Sequence, residues 1–206
     1  VLAIDQPLSI QAHPTKAQAE KGFADEEAKG ISRTAGNRNY KDNNHKPELI
    51  CAHTEFTALR GFRSNEEIAK NFSCFHADQY LPVTTRNVEE GGEKELQQFF
   101  KALMEIEDPG KKKLLNQAIN YANQHDHLPE SRLVVQLAEK YPGDIGILSP
   151  YLLKLVTLQP GEAMYLPAGV LHCYISGLGI EIMANSDNVL RGGLTVKHVD
   201  RDELLK

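Results

Sequence analysis

Apolar and polar positions along this chain change period twice. Near its start Leu8, Ile10 and Ala12 alternate with Ser9, Gln11 and His13, the period of a strand, and Pro14 ends the ladder. Residues 15–35 predict a helix: Thr15 caps it, Ala17, Ala19 and Glu20 favour it, and a further turn over 24–29 ends at Gly30. Leu49-Ile50-Cys51-Ala52 predicts a buried strand, and Phe56, Ala58 and Leu59 carry the sheet on to Phe62. Ser64 and Glu67 then form an S-x-x-E capping box that opens a helix over 65–72. The period becomes helical from there to Tyr141. Leu96, Phe99, Phe100 and Leu103 make one stripe; Leu114, Leu115, Ala118, Ile119 and Ala122 make a second; Leu133, Val134, Leu137 and Ala138 make a third. Asp108-Pro109 reads as N-cap and first residue of the second of these helices, and Pro142-Gly143 stops the third. The polar segment 85–92, with two adjacent glycines, predicts a loop. Strand signals return over 151–158, on either side of Pro167-Ala168-Gly169, over 180–184, and over 189–191 and 194–197, split by Gly192-Gly193. The expectation is a mainly β protein with an antiparallel barrel built from residues 1–63 and 143–206 and a helical subdomain inserted over 64–142.

Composition narrows the class. The chain has 206 residues, 41% hydrophobic and 25% charged, which suits a globular domain with an insertion. A net charge of −5 argues against nucleic acid as a partner. No apolar run reaches membrane length, so a cytoplasmic location without membrane attachment is expected. Cys51, Cys74 and Cys173 are widely spaced and odd in number, which suggests free thiols in a reducing compartment. Val1-Leu2-Ala3-Ile4 begins abruptly as strand without Met, and the helix start at Asp200-Arg201-Asp202-Glu203 is cut short at Lys206, so a fragment truncated at both ends is expected. His76, His125 and His127 follow no ligand spacing and read as structural or surface groups.

The candidate chemistry gathers around four residues. Pro presets φ and Gly permits a left-handed backbone, so 167–169 predicts a sharp hairpin turn that delivers His172 from the rising strand. The spacing G-x5-P-x-G-x2-H, from Gly161 to His172, resembles the second motif of the cupins, small antiparallel barrels whose inward histidines hold a metal; the Asn that often ends that motif is Ser176 here. Gln11 and His13 share a strand face with Ser9, and the stop at Pro14 places His13 at a rim. Glu48 stands at the mouth of the next strand, after a loop that also carries His45 and Lys46. Two His nitrogens, a carboxylate and an amide oxygen suit zinc or a neighbouring divalent ion, which keeps its Lewis acidity among mostly neutral ligands.

Longer runs resemble one family. Tyr40-Lys41-Asp42-Asn43-Asn44-His45-Lys46-Pro47-Glu48 is similar to YxDxNHKPE, a signature of the type I phosphomannose isomerases. The run from His172 to Lys197 resembles that family's second signature, with Glu181, Met183-Ala184, Ser186-Asp187-Asn188, Arg191, Gly193, Thr195 and Lys197 in place, and the opening QPLSIQAHP resembles the stretch before them. The resemblance implies one zinc ion per chain on Gln11, His13, Glu48 and His172, and a two-cupin core continuing outside these residues. It implies isomerisation of mannose 6-phosphate and fructose 6-phosphate through an enediol, with a small sugar phosphate as the partner; the sequence leaves the oligomeric state open, with a monomer favoured. In that chemistry Arg191 suits charge stabilisation; Asp187, four residues before it, suits orienting it or relaying a proton; Lys46, with His45 in competition, suits the base. Ser9 and Lys197 suit phosphate or hydroxyl contacts, and Glu181 a substrate or ligand-supporting contact. Cys173, Gly192 and Val196 depart from the family's Ala, Ala and Pro, and the last two would loosen the loop carrying Arg191. A non-catalytic cupin module that binds a sugar phosphate is the alternative; it would not need Asp187, Arg191 and Lys197 together. A metal-dependent cupin oxygenase fits less well, because a Gln ligand is unlike its histidine-rich sites.

Overall fold

The computed structural model describes residues 1–205. The elements, in order, are β1 (Leu2–Ile4), β2 (Ile10–Ala12), α1 (Lys16–Ala28), β3 (Glu48–Ala52), β4 (Phe56–Phe62), α2 (Asn65–Ser73), α3 (Thr85–Glu90), α4 (Glu93–Glu105), α5 (Gly110–Gln124), α6 (Pro129–Lys140), α7 (Ser149–Leu152), β5 (Leu153–Leu158), β6 (Ala163–Leu166), β7 (His172–Met183), β8 (Leu190–Gly193) and α8 (Arg201–Leu204). They divide into two compact units, one of residues 1–61 with 155–204 and one of 62–154.

The first unit is an antiparallel, cupin-like sheet organised by β7. The early half of β7 lies in the order β5-β4-β7-β2-β8, and its later half pairs with β1 and β3, with β6 beyond β3. Gly177 lies between the two halves, at φ 124°; a Cβ there would stand 2.7 Å from the Glu55 carbonyl oxygen and 2.8 Å from the Phe56 Cα, so no larger residue fits. The expected cupin-type antiparallel fold is present as a cupin-like sheet whose ladder does not close on itself among the described residues. Alternate residues of its strands fill one apolar core: Ile4, Ile50, Ala52, Phe56, Ala58, Leu158, Met164, Leu166 and Tyr174. Burying side chains of the size of Ile50 or Phe56 stabilises the fold by about 1.5–3 kcal/mol each, and the edge-on packing of Phe56 against Tyr174, centroids 5.3 Å apart, adds to this.

Several local expectations need correcting. The strands flanking Pro167 do not form a hairpin. β6 pairs only with β3, and β3 lies between β6 and β7. Gly169 turns the chain, at φ 81°, but its N–H donates to the His13 carbonyl and leaves the connection free to cross. Residues 180–183 are no separate strand but the end of β7, and Ala184 lies beyond it. Gly192-Gly193 does not split two strands; both lie in β8, and Leu194 ends it with a left-handed φ of 54°. A Cβ on Gly192 would meet Ile10 Cγ2 at 3.2 Å and Leu204 Cδ2 at 3.3 Å, so this glycine is packed, not loosening.

The second unit is helical throughout. The Ser64–Glu67 capping box opens α2 as expected. Residues 85–90 form α3 instead of a loop, because Thr84 and Asn87 build a second capping box and Val88 is buried. Pro109 takes the N-cap position of α5 and Asp108 stands outside it. Helical turns run on to Leu152, so the returning strand starts at Leu153 and not at Tyr151. Phe72, Phe75, Phe99 and Tyr151 form its aromatic centre, with Phe72 edge-on to Phe99 at 5.1 Å. His125 stacks on Tyr121 at 4.1 Å, and its Nδ1–H donates to the Tyr121 carbonyl at 2.8 Å, a structural role.

Candidate metal centre

Three buried side chains from three strands meet at one point. His13, directly after β2, is 2% exposed, Glu48 at the start of β3 is 2% exposed, and His172 at the start of β7 is 1% exposed. His13 is therefore buried, not at an open rim. Glu48 reaches this position because β3 sits between β6 and β7: it faces Leu166 on one side and Met183 on the other. Glu48 Oε1 lies 3.0 Å from His13 Nε2, and Oε2 lies 3.4 Å from His172 Nε2. The two imidazole centroids are 5.2 Å apart. Lys46 Nζ stands 3.0 Å from Glu48 Oε1.

The hydrogen bonds decide which ring nitrogens face the centre. Nδ1 of His13 is 2.8 Å from the Asn188 carbonyl oxygen, and Nδ1 of His172 is 2.9 Å from the Val170 carbonyl oxygen. A carbonyl only accepts, so both Nδ1 atoms carry the proton and both neutral rings turn an Nε2 lone pair toward the carboxylate. His13 Nε2, His172 Nε2 and Glu48 Oε2 are buried without a hydrogen-bond partner. Two lone pairs facing a carboxylate repel one another unless a cation lies between them, and the ligating atoms fall within 4.8 Å of one another. The donor set thus fits a divalent ion. Burial alone would raise the Glu48 carboxyl; in the absence of an ion, hydrogen bonds from His13 and His172 rings that bind a second proton at Nε2, together with the Lys46 ammonium, outweigh burial and hold it well below the usual carboxylate range. Gln11 pairs in register with His172, which places both on the same face of the ladder.

The two motif-bearing loops are tied together behind this centre. Asp42 accepts from the Asn44 N–H, the Ser186 hydroxyl and the Asn188 side-chain amide, and also from the Asp187 N–H. Asn188, fully buried, accepts at Oδ1 from the Lys41 and Asp42 N–H groups and donates from Nδ2 to the Asp42 and Asn44 carbonyls. Its own carbonyl then orients His13. Asn188 and Asp42 went unread as site residues: an Asn-Ser-Asp-Asn cluster signals only a turn until its partner loop is known. A second anchor lies at α1. Buried Glu26 accepts from the Asn39 and Tyr40 N–H groups and pairs with Arg38 at 2.8 Å.

The other expected site residues are placed less tightly. Glu181 accepts from the Tyr174 hydroxyl at 3.0 Å, and its carboxyl is raised by burial first and then by the Glu48 charge. Arg191, on β8, faces Gln11 in register and is half-buried. Asp187 is exposed, and no ion pair joins it to Arg191 among the described residues, so the expected orienting contact is absent there. Lys197 is exposed and lines, with Lys41, Arg191 and His198, a cavity of about 460 Å³. Ser9 is half-buried beside β2, and His45 is exposed. Cys173 is buried against the Leu8 carbonyl, its thiol pushed up to about 12 by burial, and all three cysteines are free. No helix is long and apolar enough to cross a membrane.

Comparisons with known proteins agree with this arrangement. Residues 1–65 match the family model of the phosphomannose isomerase type I catalytic domain, and residues 65–153 match that of the type I helical insertion domain. The mannose-6-phosphate isomerase of Escherichia coli (strain K12) is 42% identical, the match covering 100% of this chain and 52% of that protein. The Homo sapiens enzyme is 39% identical over 97% of this chain and 48% of its own length. The chain spans about half the length of the curated relatives it matches. A zinc-bound mannose 6-phosphate isomerase structure superposes with a TM-score of 0.90 at 41% identity, over 99% of this chain and 51% of that one. So does the Salmonella typhimurium enzyme bound to fructose 6-phosphate and zinc, with the same TM-score, identity and coverage.

Proposed function

This chain belongs to the type I phosphomannose isomerase family, and from that premise we propose that the protein containing it is a zinc-dependent isomerase interconverting mannose 6-phosphate and fructose 6-phosphate. The observation that carries the reading is the convergence of His13 Nε2, His172 Nε2 and Glu48 Oε2 as buried, unpartnered donors. Gln11, by its register with His172, supplies the fourth ligand. When bound there, zinc supplies Lewis-acid polarisation of the substrate's carbonyl oxygen.

The chain's own residues do the rest. Lys46 carries the proton. Its ammonium, paired with Glu48, donates to the ring oxygen as the sugar opens, while the anomeric hydroxyl gives its proton to solvent. The resulting amine takes the C2 proton and returns it to C1 as the hydroxyl proton on O2 passes to O1, and ring closure of the ketose reverses the first exchange and restores the ammonium. Arg191 stays protonated throughout and stabilises the negative charge of the enediolate. Lys197 and Ser9 contact the sugar's hydroxyl oxygens, and Asp187 serves Arg191 once substrate draws the exposed turn inward. Glu181, which accepts from the Tyr174 hydroxyl, contacts substrate or supports the ligands. A cytoplasmic monomer is part of this reading, supported by the three free cysteines.

The test measures zinc per chain and isomerisation of mannose 6-phosphate before and after chelation. One zinc per chain and chelator-sensitive, zinc-restored turnover are expected. Stoichiometric zinc without turnover would instead favour a non-catalytic cupin module, and a protein that holds no zinc would sink the site.

A narrower prediction concerns Asn188. Replacing it with alanine leaves every ligand in place but unties the loop whose carbonyl holds the His13 tautomer. Zinc affinity, read by competition with a chromophoric chelator, is expected to fall about 10–100-fold. Unchanged affinity would mean that the strands alone set the ring.

A further inference from the structure

Arg60 stands at the metal end of the sheet with no part in the mechanism above. On β4 it faces His172 of β7; Gln11 of β2 faces His172 from the other side; and Arg191 of β8 faces Gln11. Residues directly opposite in antiparallel ladders project to one face. Arg60, His172, Gln11 and Arg191 therefore form a row across four strands about 4.8 Å apart. The face is the inner one, because Phe56 and Ala58 precede Arg60 at the strand period and belong to the buried core. The Arg60 Nε is buried and has no acceptor, and no carboxylate pairs with the guanidinium among the described residues. By contrast, Arg38 is committed to Glu26 and Glu27, and Lys46 to Glu48. Arg60 is half-buried, and its desolvated Nε–H, which has no acceptor in the protein, is completed by an anion at the inner face.

We propose that Arg60 is a substrate-binding residue that receives the phosphate of the sugar phosphate beside the metal ligands. This rests on the isomerase reading. The phosphate is the substrate's permanently anionic group, and its oxygens match the guanidinium fork in a bidentate manner. Lys46 already neutralises Glu48, so the remaining positive charge of the row is open to a dianion. The competing receptor is the cavity on the β8 side lined by Lys41, Arg191, Lys197 and His198.

The experiment compares Arg60→Gln, Arg60→Lys and Lys41→Gln in the protein containing this chain. Inorganic phosphate is the probe, titrated calorimetrically into zinc-loaded and chelated samples, with KM and kcat for mannose 6-phosphate alongside. Arg60→Gln is expected to weaken phosphate about 10–100-fold in both samples, raising KM with little change in kcat. Arg60→Lys recovers part of the loss, and Lys41→Gln leaves phosphate binding as it was. Zinc per chain and thermal unfolding of Arg60→Lys check that the sheet is intact. Unchanged phosphate affinity in Arg60→Gln with a loss in Lys41→Gln would move the phosphate to the β8 cavity and overturn the proposal. A fall in kcat alone, with KM and phosphate affinity unchanged, would overturn it too, assigning Arg60 to the reacting oxygens. Phosphate binding through Arg60 in a protein without turnover would refute the isomerase reading and leave the anion site standing.

Discussion

Glu48→Ala is expected to lose zinc and turnover together. The carboxylate is the sole charged member of the ligand cluster, and both ring nitrogens point at it from 3.0 and 3.4 Å. Without it the ion keeps only neutral ligands, so its affinity falls by more than the roughly 10–100-fold typical of losing a ligand's hydrogen-bond partner. Lys46 also loses its ion-pair partner, so added zinc should not restore full rate even at saturation. The measurement is zinc per chain by elemental analysis together with mannose 6-phosphate isomerisation across a zinc titration. A variant that keeps one tightly held zinc would show that Gln11 and the two histidines suffice, and would remove Glu48 from the ligand set.

Arg191→Ala should separate what Glu48→Ala joins. Arg191 is one strand beyond Gln11 on β8, half-buried, and lines the basic cavity with Lys41 and Lys197. Its guanidinium stays protonated and has no lone pair to offer an ion. Zinc content and unfolding temperature are therefore expected to stay as they are. Turnover should fall about 10²–10³-fold, the scale of losing one donor aimed at developing negative charge. The fall belongs in kcat as well as in kcat/KM, because the enediolate's charge exists only as the reaction proceeds. Full rate in this variant would make Arg191 structural. Zinc lost as readily as from Glu48→Ala would make it a support of the metal site.

These two substitutions draw on different kinds of information. The type of each element was readable wherever the apolar period was long: the stripes of α4, α5 and α6 bury Phe99, Leu114 and Leu137 as their spacing requires. Short polar elements were not readable in this way. In α3 a capping box and one buried valine outweigh two glycines, a balance that periodicity does not register.

The sequence by itself determined the candidate donor types, their order along the chain and the family, because donor chemistry and motif spacing are local properties of the residues. It could not determine which strands lie side by side. Pro167-Ala168-Gly169 signals a turn, and a turn signal does not say whether its flanking strands pair; here β3 enters between them and delivers Glu48 to His172. Nor does an Asn-Ser-Asp-Asn run say that Asn188 will meet Asp42 and fix the tautomer of His13, since those partners are separated by 146 and 175 residues. The row from Arg60 to Arg191 likewise exists only through ladder register. Pairing between distant strands is selected by the burial of a whole core at once, so the centre's geometry belongs to the tertiary structure.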